Sequence, residues 1–288
     1  MSWEIAVSTP AKINLHLEIL SRRADGYHEI LSLFQAVSLF DEIRIRRGED
    51  EGIIRISGDD GLLPRNNTIS RAVDVFRRET GRREGLTIDI RKNIPMGAGL
   101  GGGSSDAAGV LLGLQSLFGD PLPPERLLAL GAGIGSDVPF FLAGPAAVVE
   151  GRGEKVSEIA ARDDYAIVAL FQKQAVSTLE AYRWLDEGRS GRLRRHSRET
   201  LVGNYRSRVE GWAMSNDFDP VVLPRFPQMA LARDALAAAG ALQPRLTGSG
   251  GTIIGVLPDE QAAVSCTGRL AGRQTAVLRP LAKMPGVR

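Results

Sequence analysis

Five glycines in seven residues, Gly97, Gly99, Gly101, Gly102 and Gly103, run straight into Ser104 and Ser105. Without side chains the backbone can approach an anion closely, consecutive N–H groups can converge on it, and a helix beginning at the serines adds partial positive charge. The stretch reads as a phosphate cradle, with a turn capped by Ser104 or Asp106 as the alternative. Gly97, Gly99 and Gly102 match GxGxxG spacing, but a dinucleotide fingerprint also needs a second strand ending in an acidic residue roughly 20 residues on. Helix and GDPLPPERL occupy that distance here. A P-loop needs a lysine after its glycines, and Gly103-Ser104-Ser105 supplies none.

Periodicity outlines the elements that must hold this loop. Ile13, Leu15, Leu17 and Ile19 alternate with Lys12, Asn14, His16 and Glu18. That pattern predicts a strand with one buried face and puts Asn14 on the same face as Lys12. Residues 41–47 and 52–57 repeat the alternation and Asp25-Gly26 marks a turn, so the first sixty residues predict mostly antiparallel sheet. A helix over 66–81 stops at Gly81, a strand over 86–92 leads into the glycine loop, and helices over 104–119 and 123–133 follow it. Next come strands at 146–156 and 165–171 and a helix over 177–188 that opens on a Ser177/Glu180 capping box. A glycine turn, strand and helix span 245–271. Residues 187–199 are basic without apolar periodicity and read as a solvated connection. The chain divides near residue 155, into 1–155 and 156–288.

The whole-chain balance narrows the function. With 36 basic and 34 acidic residues the net charge is +2, which points to a small anionic ligand rather than a nucleic acid. Cys266 is the single cysteine, which excludes an intrachain disulfide or a cysteine-rich metal site and suits a reducing compartment. No window of 18 uninterrupted apolar residues and no signal-peptide pattern occur, so a cytoplasmic enzyme without membrane contact is expected.

Three separated segments, PAKINLHLEI at 10–19, IPMGAGLGGGSSDAA at 94–108 and RLTGSGGTIIGVL at 245–257, together resemble the galactokinase, homoserine kinase, mevalonate kinase and phosphomevalonate kinase (GHMP) superfamily. Within it, residues 11–43 and 135–154, with NNTI, VSTLEAY and SNDFDPVV, resemble the 4-diphosphocytidyl-2-C-methyl-D-erythritol kinase family almost end to end. The resemblance implies an α+β GHMP kinase fold: an N-terminal domain like the second domain of ribosomal protein S5, a ferredoxin-like C-terminal domain, and the site between them. It also implies transfer of the γ-phosphoryl group of ATP, with Mg²⁺, to the 2-hydroxyl of the small-molecule substrate 4-diphosphocytidyl-2-C-methyl-D-erythritol. The competing readings are another GHMP kinase of the homoserine or mevalonate type, and a silent ATP-binding module.

By that resemblance Lys12 and Asp137 form the catalytic pair, Asp137 taking the proton of the attacking hydroxyl and Lys12 stabilising the transferring phosphoryl charge. Pro95, Met96, Gly97, Ala98, Gly99, Leu100, Gly101, Gly102, Gly103, Ser104 and Ser105 wrap the triphosphate, and Asn67 and Lys92 line the adenine pocket. Asn14 touches substrate. Tyr27 stacks on cytosine, His28 reads its polar edge, and Tyr182 forms the other side of the sandwich. Thr247, Gly248 and Ser249 form a second glycine turn for substrate phosphate or loop support. Ser104 and Ser105 are the candidate Mg²⁺ hydroxyls, with no acidic ligand assigned. Two residues depart from the family pattern: Pro145 where a second glycine is common, and Gly251 where proline is frequent.

Overall fold

The computed structural model describes residues 3–48, 50–58, 61–62, 66–119, 122–187 and 195–288. Strands β1 (Glu4–Arg22) and β2 (His28–Gly48) form one long antiparallel hairpin closed by the Asp25-Gly26 turn. The other edge of β2 is shared. Its first part pairs with β6 (Ala146–Gly151) and its last part with β5 (Gly85–Arg91). β3 (Ile54–Gly58) runs parallel to β5 and carries the short β4 (Gly61–Leu62), while β7 (Lys155–Glu158) ends the sheet beyond β6. Helices α1 (Thr68–Thr80), α2 (Gly102–Phe118), α3 (Pro124–Ile134) and α4 (Val138–Ala143) supply Phe76, Leu111, Leu114 and Phe140 to a core with Val7, Ile43 and Ile45 of the sheet.

The second sheet, in the order β11-β8-β10-β9, is antiparallel throughout: β8 (Ala166–Phe171), β9 (Leu242–Leu246), β10 (Thr252–Leu257) and β11 (Thr275–Leu278). With it come α5 (Thr178–Glu187), α6 (Arg198–Arg206), α7 (Asp219–Val222), α8 (Pro227–Ala238) and α9 (Glu260–Gly268). Ile13, Leu33 and Val148 of the first sheet share one apolar cluster with Ile167, Ile254 and Val256 of the second. Buried Gln35 links them again, accepting from Tyr165 and Tyr205 and donating to the carbonyls of Pro145 and Leu281. The chain end returns to the first sheet, where Ala6 and Arg288 exchange backbone hydrogen bonds.

Several elements differ from the sequence expectation. The run 146–156 is not one strand but the β6–β7 hairpin, turned where Arg152 N donates to Glu154 at 2.7 Å. The expected division at 155 therefore falls on the first residue of β7, and the first sheet continues to Glu158. Helix α4, too short to show a period, was not foreseen. Only half of the Ser177/Glu180 capping box is present, with Glu180 N at 3.4 Å from the Ser177 hydroxyl. Within the basic segment, residues 188–194 lie outside the described residues. Beyond them Arg195 and His196 bind Glu18, and Ser197 caps α6 by accepting from Thr200 N.

The largest difference concerns β1. Its polar face is not solvated: Lys12 is 4% exposed, Asn14 2%, His16 0% and Glu18 1%. The segment 215–217 pairs along the edge of β1 that β2 leaves open, with Leu17 N donating to Ser215 O and Asp217 N to Leu17 O, while Arg195 and His196 cover Glu18 and Thr247 and Gly248 cover Asn14, so the polar side of the strand is buried too. Burial pushes the His16 imidazolium down to about 4, and the positive charges of His196 and Arg245 push the same way while Glu18 opposes them. The folded value lies below the unfolded one, so the unfolded chain binds the proton first as pH falls. Stability is then full above about pH 6.5 and declines toward pH 4. Urea unfolding of the wild type is expected to lose about 2 kcal/mol more than His16→Gln between pH 7 and pH 5. Parallel pH profiles for the two proteins would remove His16 from this role.

Candidate active site

Lys12 lies on β1, and its backbone N–H donates to Leu100 O at 2.9 Å, so the strand is bonded directly to the glycine loop. Its ammonium sits 4.4 Å from the Phe34 ring centroid, 2.7 Å from Asn14 Oδ1 and 3.5 Å from Asp137 Oδ2. Asp137 stands immediately before α4, its side chain 31% exposed. A buried lysine thus meets a carboxylate open to solvent beside a loop of backbone amides. That arrangement suits a proton acceptor and a charge stabiliser acting on one hydroxyl.

Asn14 is the hub beneath the pair. Its Oδ1 accepts from Lys12 Nζ, from Gly248 N at 2.9 Å and from the Thr247 hydroxyl at 3.4 Å. Its Nδ2 donates to Ser32, and its backbone N–H to the Thr247 hydroxyl. The expectation that Asn14 shares a face with Lys12 holds. With these bonds made and the side chain buried, however, Asn14 orients Lys12 rather than presenting itself to a ligand. Thr247 is likewise committed, its one hydroxyl proton shared between Asn14 Oδ1 and Gly99 O, the latter at 3.3 Å, and Ser249 shares a hydrogen bond with Thr178. Asn216 completes the turn by donating to the carbonyls of Leu246 and Gly248, a role its sequence context did not disclose.

The two glycine turns interlock. Gly99 has φ +77°, and a β-carbon there would lie 2.1 Å from Thr247 O. Gly251 has φ +94°, and a β-carbon there would lie 2.8 Å from Ala98 Cα. Neither position accepts a side chain in this conformation. Residues 95–104 line a cleft of about 500 Å³ together with Asn67, Lys92 and Asp106, and α2 points its N-terminus into it. Within the cleft, Met96 is 85% exposed. The Asn67 side-chain oxygen caps α1 by accepting from Ser70 N.

Ser105 requires a correction. It was expected to face phosphate or Mg²⁺, but it is buried in the first turns of α2 and donates to Pro10 O at 2.7 Å. Of the two loop serines, Ser104 alone lines the cleft. Behind the loop, Lys92 is held between two carboxylates. It is bonded to Asp41 and lies 2.7 Å from Asp106 Oδ2, while Asp106 Oδ1 accepts from Thr9. Burial pushes Asp106 up to about 6, with Asp41 adding and Lys92 opposing. Burial works against the Lys92 ammonium too, but Asp106 and Asp41 outweigh it and raise its proton affinity.

At the far end of β1 the Tyr27 ring is 52% exposed, with the Arg152 guanidinium 5.2 Å from its centroid. His28 Nε2 lies 2.7 Å from Asp186 Oδ1. Tyr182 was expected to sandwich a base with Tyr27. It stacks on His28, at 4.6 Å and 13°, and makes a T-shaped contact with Phe218. Burial, helped by the Asp137 charge, pushes the Tyr182 hydroxyl up to about 12 and keeps it neutral.

Among the described residues, His16, Glu18 and His196 bring three ligand atoms within 4.8 Å of one another. His16 Nδ1 accepts from Ser215 N at 3.2 Å, so the neutral ring carries its proton on Nε2. A cation could bind Nε2 only after that bond is lost, since a metal-bound histidine donates from its other nitrogen. Glu18 accepts from Arg195 N and is bonded to His196 Nδ1, which ties residues 195–196 to β1.

The family model for the GHMP kinases N terminal domain matches residues 67–145, and that for GHMP kinases C terminal matches residues 206–272. The chain is 39% identical over 277 residues to a 4-diphosphocytidyl-2-C-methyl-D-erythritol kinase of Symbiobacterium thermophilum, covering 95% of each chain. It is also 39% identical to that of Thermotoga maritima, covering 90% of this chain and 94% of the relative. A crystal structure of 4-(cytidine 5'-diphospho)-2C-methyl-D-erythritol kinase superposes with TM-score 0.80 at 30% identity, covering 98% of this chain and 100% of that one. Homoserine kinase from Cytophaga hutchinsonii, with TM-score 0.74 and 20% identity over 100% of this chain and 98% of that one, shares the fold. The α+β GHMP architecture expected from the sequence is therefore the one observed.

Removing the Asn14 side chain takes the nearest acceptor from the buried Lys12 ammonium and the acceptor of the Gly248 N–H. Asn14→Ala is expected to lower the unfolding free energy by about 3 kcal/mol in urea titration. A loss below about 1 kcal/mol would mean that water or another acceptor replaces the amide without cost.

Proposed function

The chain belongs to the GHMP kinases and, within them, to the 4-diphosphocytidyl-2-C-methyl-D-erythritol kinase family, and we infer how its residues divide the phosphorylation of that cytidyl substrate by ATP. The observation that carries the assignment is the Lys12–Asp137 pair bonded to the edge of the glycine loop. Phosphoryl transfer asks chiefly for positioning and charge stabilisation. The amides of residues 97–103 and the N-terminus of α2 take the phosphates, with Asn67 and Lys92 on the wall of the same cleft. Asp137 accepts the proton of the substrate 2-hydroxyl as its oxygen attacks the γ-phosphorus, and the bond to the β–γ bridging oxygen breaks to release ADP. Lys12 stabilises the negative charge on the attacking oxygen and the transferred group.

Mg²⁺, when bound with ATP, neutralises charge on the phosphate oxygens. We assign Ser104 as its protein hydroxyl. For the cytidyl end, Tyr27 offers an exposed aromatic face and His28, oriented by Asp186, a polar edge. Tyr182 backs His28 and limits how far the base enters. The interlocked turn at 247–249 supports the phosphate loop from behind. Among the described residues no helix is long and apolar enough to cross a membrane. We place the activity in the cytoplasm, acting on a small molecule, in keeping with the single buried cysteine.

An ADP-release assay with the cytidyl substrate, homoserine and mevalonate tests the substrate assignment. Turnover with either small alcohol and none with the cytidyl compound would overturn it. Asp137→Asn is expected to lower kcat by roughly 10²- to 10⁴-fold while KM for ATP stays within a few fold. Turnover near the wild-type rate would take Asp137 out of the chemistry.

A further inference from the structure

The mechanism above makes no use of two carboxylates that meet at the phosphate cleft. Asp41 on β2 and Asp106 on α2 have side chains 0% and 4% exposed, and both bind the Lys92 ammonium. Each is itself held in place. Asp41 Oδ1 accepts from Asn93 N at 2.6 Å and Ile94 N at 2.8 Å, and Asp106 Oδ1 accepts from the Thr9 hydroxyl at 3.0 Å. Thus Asp41 of β2, fixed by the amides of residues 93 and 94, and Asp106 of α2, fixed by Thr9 of β1, together hold one ammonium. The remaining side faces the cleft. Lys92 and Asp106 both line the cleft, the Lys92 side chain is 25% exposed, and its Nζ lies 3.4 Å from the place a β-carbon on Gly102 would take. Gly102 is the first residue of α2.

We propose that Asp106, together with Asp41, is a positioning residue for the nucleotide, fixing the Lys92 ammonium at the mouth of the phosphate cradle. The proposal rests on reading the cleft as the ATP site. A lysine side chain has about 2 kcal/mol of rotamer entropy, and an unheld one at a cleft rim would spend it in solvent. Two fixed carboxylates remove that freedom before the ligand arrives, which lowers the ordering cost of binding. The side chain they hold is part of the cleft wall and a quarter exposed there. Buried charge pairs are also poor sources of net stability, so a geometric role is the better account of retaining one here.

Steady-state kinetics on the full chain, with ATP and the cytidyl acceptor varied separately, test this. Asp106→Ala is expected to raise KM for ATP about tenfold, with kcat and acceptor KM within twofold. Asp106→Asn keeps the shape and an acceptor for Lys92, so it should raise KM for ATP only about threefold. The double variant Asp106→Ala/Lys92→Gln should be no more than twofold worse than Lys92→Gln alone, because both changes remove one device. Multiplying effects in the double variant, or an unchanged KM for ATP, would overturn the proposal, as would equal losses in both substrates. Should the alanine variant not fold, the asparagine variant decides: a rise confined to ATP supports the proposal and an unchanged KM overturns it. Absence of any ATP-dependent turnover in the wild type would instead refute the kinase reading beneath it.

Discussion

A single side-chain carbonyl, that of Asn14, sets the geometry on which the cleft depends. It accepts from the Lys12 ammonium, which belongs to the chemistry, and from Gly248 N and Thr247, which belong to the second half of the chain. The interior is too dry to leave any of these donors unpaired, so the first sheet and the second glycine turn must approach until one oxygen can serve both. That distance admits no β-carbon at Gly99 or Gly251. The steric demand for glycine and the electrostatic placement of lysine therefore share one cause. The same closeness explains why the polar side of β1 is sealed: Asn216 and Asp217 bond to backbone of the glycine turn and of β1 and fill the space that water would take.

The charge arrangement is equally constrained. Lys12 faces Asp137, and Lys92 faces both Asp41 and Asp106, so neither lysine meets an incoming triphosphate as a bare cation. Much of the attraction falls to the backbone amides of the loop and to α2, whose first turn carries no acidic residue to cancel its dipole. Such dipoles are fixed before the ligand binds and need no reorganisation, the property that phosphoryl transfer rewards. It also reconciles an anion-binding cleft with a chain whose net charge is only +2.

What the sequence disclosed and what it hid follow from the range of each interaction. The glycine cluster, the Asp25-Gly26 turn, the helix stop at Gly81 and the alternation of 12–19 are local signals, and each lies where the spacing put it. The alternation was misleading in one respect. Period two tells which residues share a face, but burial of the polar face depends on residues 195–196 and 247–248, some two hundred positions away. Ser105 and Asp106 were similarly ambiguous. A serine or aspartate at a helix start is the usual cap, yet these two bond to Pro10 O and to Lys92, partners that only the tertiary fold brings near. Asp41 carried no local signal at all, being one acidic residue in a strand pattern. Tyr182 lay on the right helix, but which ring it would meet depended on how α5 packs toward β2.

The two departures from the family pattern can be judged by the same geometry. A proline at position 251 would require φ near −65°, whereas Gly251 has φ +94° with its Cα side against Ala98. A chain with proline there must carry the turn along another path. Pro145 sits where the first sheet receives the core of the second. Its carbonyl accepts from Ala36 N at 2.7 Å and from Gln35 Nε2 at 3.1 Å. Proline offers no N–H, which at this buried position (0% exposed for the neighbouring Ala146) removes a donor that would otherwise need a partner. Both changes therefore act on how the halves of the molecule meet, and leave the Lys12–Asp137 pair and the amides of the cradle as they are.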